Sequence, residues 1–185
     1  MRSSTATFAV LGAALVCAFA LSAAGADAAE SDSMSKYRKR TGQKFLAEKE
    51  KEEGVVKLPS GMLYKVLKAS DKTTPKSPTA GDTCEVTYAG RLRDGTPFDS
   101  GTTSFAPNQV IQGWTEAMQL MCEGDKWELY IPYDLAYGER GSPPKIPSFS
   151  PLVFEIEIHK VKSGGKTCAA AKTELAKKIT AAKDL

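Results

Sequence analysis

Apolar and polar residues alternate strictly in several short segments in the middle of the chain. The clearest example places four apolar residues two positions apart: Leu152, Phe154, Ile156 and Ile158. Three further segments share this period: 62–67, 84–88 and 126–131. Because successive side chains of a strand point to opposite faces, each segment has one apolar and one mostly polar face. This pattern is typical of an antiparallel sheet that is covered on one side only.

One segment inside this region has helical spacing instead. Its large apolar residues lie three, four and three positions apart, at Ile111, Trp114, Met118 and Met121. Such a helix can cover the apolar face of the sheet. The sequence therefore predicts an α+β domain in which a curved antiparallel sheet of about five strands, a half-barrel, wraps around one short α-helix.

The first 28 residues have the character of a secretory signal peptide. Arg2 precedes an apolar run from Phe8 to Leu21, and small residues follow, with a cleavage site predicted at Ala26-Asp27-Ala28. An uncleaved anchor helix is the competing interpretation, but the apolar run falls short of the ~20 residues that a membrane span needs. We therefore expect export, to the medium or to a secretory or periplasmic compartment, without a stable membrane anchor.

Charged or flexible segments flank the alternating region. The segment 29–57 is predicted to form a charged helix with a thin apolar stripe at Tyr37, Phe45 and Leu46. Both a spacer and a weak dimerisation helix are open interpretations, so the chain is expected to be a monomer or a weak dimer. The folded domain is placed at 58–162. It is followed at 163–185 by a glycine hinge and an Ala/Lys-rich helix with Thr167 as its predicted N-cap.

Composition excludes several classes of function. The chain has 25 Lys and Arg against 22 Asp and Glu, a net charge of +3, which gives no indication of nucleic-acid binding. Its one histidine, His159, falls on the polar side of a strand, so a serine or cysteine triad is not expected. Neither zinc-ligand spacing nor a phosphate-binding loop occurs, and no metal or cofactor is predicted.

Three cysteines remain if the signal peptide is removed: Cys84, Cys122 and Cys168. Export makes one disulfide possible and leaves one thiol over. The sequence does not choose among the three pairs. A bond between Cys122 and Cys168, which would attach the C-terminal helix to the domain, is our working hypothesis.

Several motifs, in order along the chain, resemble those of FKBP-type prolyl isomerases. The run VTYAGRLRDGTPFDS at 86–100 resembles the family's first signature. The later matches are QVIQGW at 109–114, Ile131-Pro132, LAYG at 135–138, Ile146-Pro147 and LVFEI at 152–156. The signal peptide and the charged helical segment before the domain are similar to the Mip-like (macrophage infectivity potentiator) branch of exported microbial members.

This resemblance implies a pocket between the helix and the sheet. Trp114 would form the floor under a bound proline ring, and the walls would be Tyr88, Phe98, Val110, Ile111 and Phe154. Asp99 and Tyr137 would be the catalytic residues, which orient the substrate backbone by polar contacts. The backbone of Ile146 would contact the peptide, and Phe105 would add to the rim, although the segment 102–108 is shorter than in the smallest family members.

The activity implied by the resemblance is cis/trans isomerisation of X-Pro bonds in peptides and proteins, through a dry aromatic pocket that FK506-like and rapamycin-like macrolides inhibit. A non-catalytic module that binds proline-containing peptides, or a chaperone, is the alternative. Lys145 stands beside Ile146 where the family often has an apolar residue, so substrate preference is expected to differ.

Overall fold

The structure is a computed structural model that describes residues 20–183. The predicted signal peptide therefore lies largely outside the described residues. Helix α1 spans Ala20–Lys49, and the chain divides within it, into one unit up to Lys36 and a second from Tyr37 onwards. In the first unit, Lys36 and Asp32 form an exposed i,i+4 ion pair at 2.7 Å. No helix between residues 20 and 183 is both long and apolar enough to cross a membrane.

The second unit contains an antiparallel sheet of six strands. These strands are β1 (Val55–Lys57), β2 (Leu63–Lys68), β4 (Cys84–Leu92), β5 (Pro97–Phe105), β6 (Lys126–Ile131) and β7 (Leu152–Val161). Their order in the sheet is β1-β2-β6-β7-β4-β5. Two short strands, β3 (Lys76–Ser77) and β8 (Lys166–Thr167), form a separate pair. Helix α2 spans Gln112–Met118, and α3 spans Cys168–Lys183. The α+β fold predicted from the sequence is confirmed; the main sheet has one strand more than the five expected, and the pair of β3 and β8 was not predicted.

The additional strand is β1, which lies in the segment predicted to be a charged helix. It has only three residues, and it pairs with β2 so that Val56 faces Tyr64. Three residues are too few for a two-residue period to be recognised.

Helix α2 packs against the inner face of the sheet. Trp114, Ala117 and Met118 of the helix are buried together with Leu129 of β6 and Ile156 of β7. Each large apolar side chain buried in this way contributes about 1.5–3 kcal/mol relative to an exposed one. The helix lies very close to β6: a Cβ atom on Gly113 would stand 2.5 Å from Cγ2 of Ile131. This contact fixes the depth at which the first turn of α2 sits over the sheet.

The opposite face of the sheet carries a smaller apolar cluster. Leu63, Tyr130 and Val153 are buried there, and Phe45 and Leu46 of α1 pack against them. The rings of Phe45 and Tyr130 meet edge to face at 6.3 Å. The apolar stripe predicted in the N-terminal segment is therefore covered in part by the chain's own sheet, while Tyr37 remains 49% exposed.

The C-terminal helix is attached to the domain by a disulfide. Cys122, just after α2, is bonded to Cys168, the first residue of α3, with a Cα–Cα distance of 5.6 Å. This confirms the hypothesis on cysteine pairing and leaves Cys84 as a buried free thiol. Thr167 caps the helix as predicted, since its hydroxyl accepts a hydrogen bond from the Ala170 N–H at 3.3 Å.

Candidate active site

A cavity of about 430 Å³ opens between the start of α2 and the inner face of the sheet. Strands β4, β5 and β7, the turn before α2, and the loop after β6 all contribute to its lining. The lining residues are Tyr88, Phe98, Asp99, Phe105, Gln109, Val110, Ile111, Trp114, Tyr137 and Phe154. Most of these side chains are aromatic or aliphatic, so the cavity is suited to an apolar ring.

Trp114 lies at the centre of the aromatic lining and is 4% exposed. Its ring meets Tyr88 at 5.2 Å, Phe105 at 6.1 Å and Phe154 at 5.1 Å, each edge to face. This is a preferred geometry of aromatic pairs and adds roughly 0.5–1.5 kcal/mol for each pair beyond burial. The indole Nε1 is a buried donor without a hydrogen-bond partner within the described residues. Trp114 and the three rings around it therefore form a closely packed aromatic floor.

Gly90 of β4 allows two wall residues to meet. Phe98 and Phe154 contact each other edge to face at 5.3 Å directly over this glycine. A Cβ atom at position 90 would stand 2.6 Å from Phe154 Cε1 and 2.7 Å from Phe98 Cζ, closer than real Cβ contacts come. The shape of the wall thus depends on a position without a side chain.

Asp99 supplies the carboxylate of the site. The Tyr88 hydroxyl on the neighbouring strand donates a hydrogen bond to Asp99 Oδ2 at 3.0 Å. Burial, and secondarily this hydrogen bond, raise the pKa of the Tyr88 hydroxyl above its ordinary value. Tyr88 therefore stays protonated as a donor and holds the carboxylate at the rim.

Tyr137 reaches the cavity from the loop between β6 and β7. It follows a short 3-10 turn at Tyr133–Leu135 and remains 42% exposed while lining the cavity. Lys145 of the same loop donates from Nζ to the Phe98 carbonyl at 3.1 Å, which joins the loop to β5. The loop and β5 thus bring Tyr137 and Asp99 to one cavity.

Nine of the ten site residues predicted from the sequence line this cavity, and Ile146 does not. Ile146 is 4% exposed and belongs to the core. Its N–H donates to the Ser142 carbonyl and its carbonyl accepts from the Ser142 N–H, each at 2.9 Å. Both backbone groups of Ile146 are thus paired within the loop, and a contact between this backbone and a bound peptide stays a prediction.

Gln109 lines the cavity but was not predicted as a site residue. Its Oε1 accepts a hydrogen bond from the Ala106 N–H at 3.2 Å, which closes the turn before α2. The signal that could have identified it is its place at the head of the QVIQGW run. Among the described residues, no group of three or more His, Cys, Asp and Glu side chains is arranged to hold a metal.

Comparison with known proteins agrees with this geometry. The model of the FKBP-type peptidyl-prolyl cis-trans isomerase family matches residues 74–159. The model of the domain amino terminal to FKBP-type peptidyl-prolyl isomerases matches residues 15–66. Together the two matches extend over the sheet, α2 and much of α1.

Relatives and solved structures agree with these matches. The macrophage infectivity potentiator of Trypanosoma cruzi is 49% identical over 148 residues, which are 77% of this chain and 74% of that protein. The FKBP-type 22 kDa peptidyl-prolyl cis-trans isomerase of Escherichia coli is 46% identical over 122 residues, 63% of this chain and 58% of that protein. A peptidyl-prolyl cis-trans isomerase structure from Pseudomonas syringae has a TM-score of 0.65 at 38% identity, covering 70% of this chain and 96% of that one.

The chain therefore belongs to the FKBP-type peptidyl-prolyl cis-trans isomerases and is an enzyme of that class. Within the family it falls in the Mip-like branch, as the two matching family models and the Trypanosoma cruzi relative indicate. The outer membrane protein MIP of Legionella longbeachae, 41% identical over 139 residues, 72% of this chain and 58% of that protein, agrees with this placement. The resemblance stated from the sequence motifs is confirmed.

Proposed function

We propose that this protein accelerates rotation about X-Pro bonds by binding the proline ring on Trp114, inside the aromatic cavity. The observation that carries the proposal is the packing of the Tyr88, Phe105 and Phe154 rings, in edge-to-face geometry, around one buried indole. A five-membered apolar ring matches such a lining, and a charged or strongly hydrated group does not.

The reaction breaks no bond, so the site needs neither a nucleophile nor a metal. The barrier of ~18–20 kcal/mol arises from the partial double-bond character of the amide. Water on the carbonyl favours the charge-separated form that stiffens the bond, and a water-poor cavity favours the twisted amide instead. Better binding of the twisted state by roughly 5–6 kcal/mol would accelerate rotation by about four powers of ten.

Polar groups at the rim would hold the peptide while the bond rotates. Tyr137 can donate from its hydroxyl, and Asp99 presents a carboxylate that Tyr88 orients. Ile111 lines the cavity immediately before α2, where the first N–H groups of a helix lack intrahelical partners. We assign Asp99 an electrostatic and positioning role rather than proton transfer.

The same cavity suits larger inhibitors that contain a proline-like ring. Its volume of about 430 Å³ lies within the range of small-molecule sites. FK506-like and rapamycin-like macrolides are therefore the expected inhibitors, and proline-containing peptides or proteins the expected substrates.

Export is part of the proposal. The signal-peptide pattern of the first 28 residues supports it, and so does the disulfide between Cys122 and Cys168, because such bonds persist in oxidising compartments. A mature N-terminus near residue 29, read by sequencing the native protein, is the expected result. An intact N-terminus in the native protein would contradict export through a cleaved signal.

The test of the activity is protease-coupled isomerisation of a short X-Pro peptide, with and without a macrolide of the FK506 type. Acceleration that the macrolide abolishes is the expected result, because one cavity would serve both ligands. A folded protein that binds the macrolide without accelerating isomerisation would contradict catalysis and favour a module that binds proline-containing peptides.

A further inference from the structure

The C-terminal part of α1, within the second unit, lies on the domain and reaches the loop that carries Tyr137. We call Arg38–Lys49 the docked segment and Pro132–Pro151 the Tyr137 loop. Gly42, in the middle of the docked segment, is buried, and a Cβ atom there would stand 3.1 Å from Cδ of Pro151. The helix therefore lies so close to the end of the loop that a side chain at position 42 would crowd Pro151.

Lys39 of the docked segment contacts two separate parts of the Tyr137 loop. Its Nζ lies 3.2 Å from Glu139 Oε1 and 4.4 Å from the centroid of the Phe149 ring. Next to it, Arg38 donates to the Ser148 hydroxyl at 2.5 Å. Glu139 is 70% exposed, so that ion pair contributes little by itself. The ammonium over the aromatic face is the stronger contact.

Phe149 has a backbone conformation that needs support. Its φ is 56°, in the left-handed region, which is unfavourable for a residue other than glycine. It is nevertheless 8% exposed, with Tyr133 packed edge to face at 5.4 Å. Such conformations persist only where the surroundings over-determine them, and they concentrate at functional sites. Lys39 is one of those surroundings.

A short series of contacts leads from Phe149 to Tyr137. The Phe149 N–H donates to the Gly138 carbonyl at 3.3 Å, and the Gly138 N–H donates to the Tyr133 carbonyl at 2.7 Å. Gly138 is the residue directly after Tyr137. Both the N–H and the carbonyl of Gly138 are therefore hydrogen-bonded, and the bond of the carbonyl is with Phe149.

We propose that Lys39 is a positioning residue for the isomerase site: from helix α1 it holds Phe149, and through Gly138 it sets the place of Tyr137. The inference rests on the proposed function, since it assigns Tyr137 a role in binding substrate. It adds that the N-terminal helix contributes to the site through Lys39 and is more than a spacer. Lys39 touches no substrate and acts only through the loop.

The test uses the full chain and three substitutions. Lys39→Met removes the charge and keeps the length of the side chain, Lys39→Arg keeps a cation over Phe149, and Lys44→Met is the matched control. Lys44 lies on the same helix, is 76% exposed and forms an ion pair with Glu48 of that helix at 3.8 Å. We expect Lys39→Met to lower kcat/KM for an X-Pro peptide about three- to tenfold. Lys39→Arg should restore most of this loss, and Lys44→Met should leave kcat/KM unchanged.

A double-substitution cycle separates positioning from general stabilisation. In a Tyr137→Phe background, Lys39→Met should cause little further loss, because the hydroxyl that it positions is already absent. An equal loss in both backgrounds would overturn the inference, and so would an unchanged kcat/KM for Lys39→Met alone.

Amide hydrogen exchange supplies a readout that does not depend on activity. The Phe149 and Gly138 N–H groups should exchange faster in Lys39→Met than in the parent and in Lys44→Met, while the N–H groups of β6 and β7 stay unchanged. Unchanged exchange at Phe149 would overturn the inference. If the parent protein failed to accelerate isomerisation, the proposed function would fall, and the exchange result would still decide whether Lys39 fixes the loop.

Discussion

The Tyr88 hydroxyl donates a hydrogen bond to the Asp99 carboxylate across the paired strands β4 and β5, at 3.0 Å. Tyr88 also packs its ring edge to face on Trp114 at 5.2 Å. One side chain therefore connects the apolar floor of the cavity with its charged rim. Tyr88 thus couples the Asp99 carboxylate to the Trp114 indole. Its hydroxyl and its ring make these two contacts, and substitutions can test each contact separately.

Tyr88→Phe keeps the ring and removes the hydrogen bond. We expect kcat/KM to fall about three- to tenfold, because Asp99 loses the donor that orients it, while macrolide affinity falls less. The measurement is protease-coupled isomerisation beside a binding titration. Wild-type kcat/KM in this variant would show that the orientation of Asp99 is irrelevant to the reaction.

Trp114→Leu removes the floor, and the chain's second tryptophan offers a matched control. Trp127 is 3% exposed but stacks on Tyr64 at 4.4 Å and does not line the cavity. Each substitution should cost roughly 2–4 kcal/mol of unfolding free energy. Only Trp114→Leu should weaken binding of a proline-like ligand, by about tenfold or more. Equal affinities in the two variants, measured by calorimetry, would remove Trp114 from the site.

Gly90→Ala tests the wall. The new Cβ would force Phe98 and Phe154 apart, and overpacking of this kind costs about 1–3 kcal/mol. Gly101→Ala on the neighbouring strand is the control, because its Cβ would meet Tyr88 no closer than 3.8 Å. We expect macrolide affinity to fall about tenfold in Gly90→Ala and to change little in Gly101→Ala. Equal macrolide affinities of the two variants in a binding titration would mean that Phe98 and Phe154 can move apart without a loss of binding.

The buried thiol of Cys84 leads to a prediction on how the stability of the fold depends on pH. The side chain is fully buried, and burial raises the pKa of its thiol to about 12. Since the folded pKa lies above that of an unfolded cysteine, about 8.5, the neutral thiol supports the fold fully below about pH 8.5. This support is lost as the pH rises through about 12. The native protein should therefore leave Cys84 unmodified by a thiol reagent near neutral pH.

The control for Cys84 is the unfolded protein, in which the same thiol should react at once. In Cys84→Ser, the unfolding free energy should also decrease less at alkaline pH than it does in the parent protein. Denaturant titrations at increasing pH measure this decrease. Rapid modification of Cys84 in the native protein would show that β4 opens readily.

The sheet and α2 were predictable because their apolar residues repeat with a regular period over several positions, as from Leu152 to Ile158. Most of the site followed from motif resemblance, since Trp114, Asp99 and Tyr137 each stand in a recognisable run. The pairing of Ile146 with Ser142 could not be predicted, because it is a contact within an irregular loop, which no periodic pattern encodes. The contact of Phe45 with Tyr130 could not be predicted either. An apolar stripe identifies the apolar face of a helix but does not identify the surface that covers it.

Strand β7 places two neighbouring residues in different clusters. Val153 belongs to the cluster that α1 covers, and Phe154 belongs to the core and lines the cavity. A slip of one residue in the pairing of β7 would exchange them and turn every apolar side chain of the strand to the wrong face. Both packing layers would then be lost together. A register shift of one residue therefore keeps neither packing layer. Pairings of β7 that are shifted by one residue are strongly disfavoured relative to the native register.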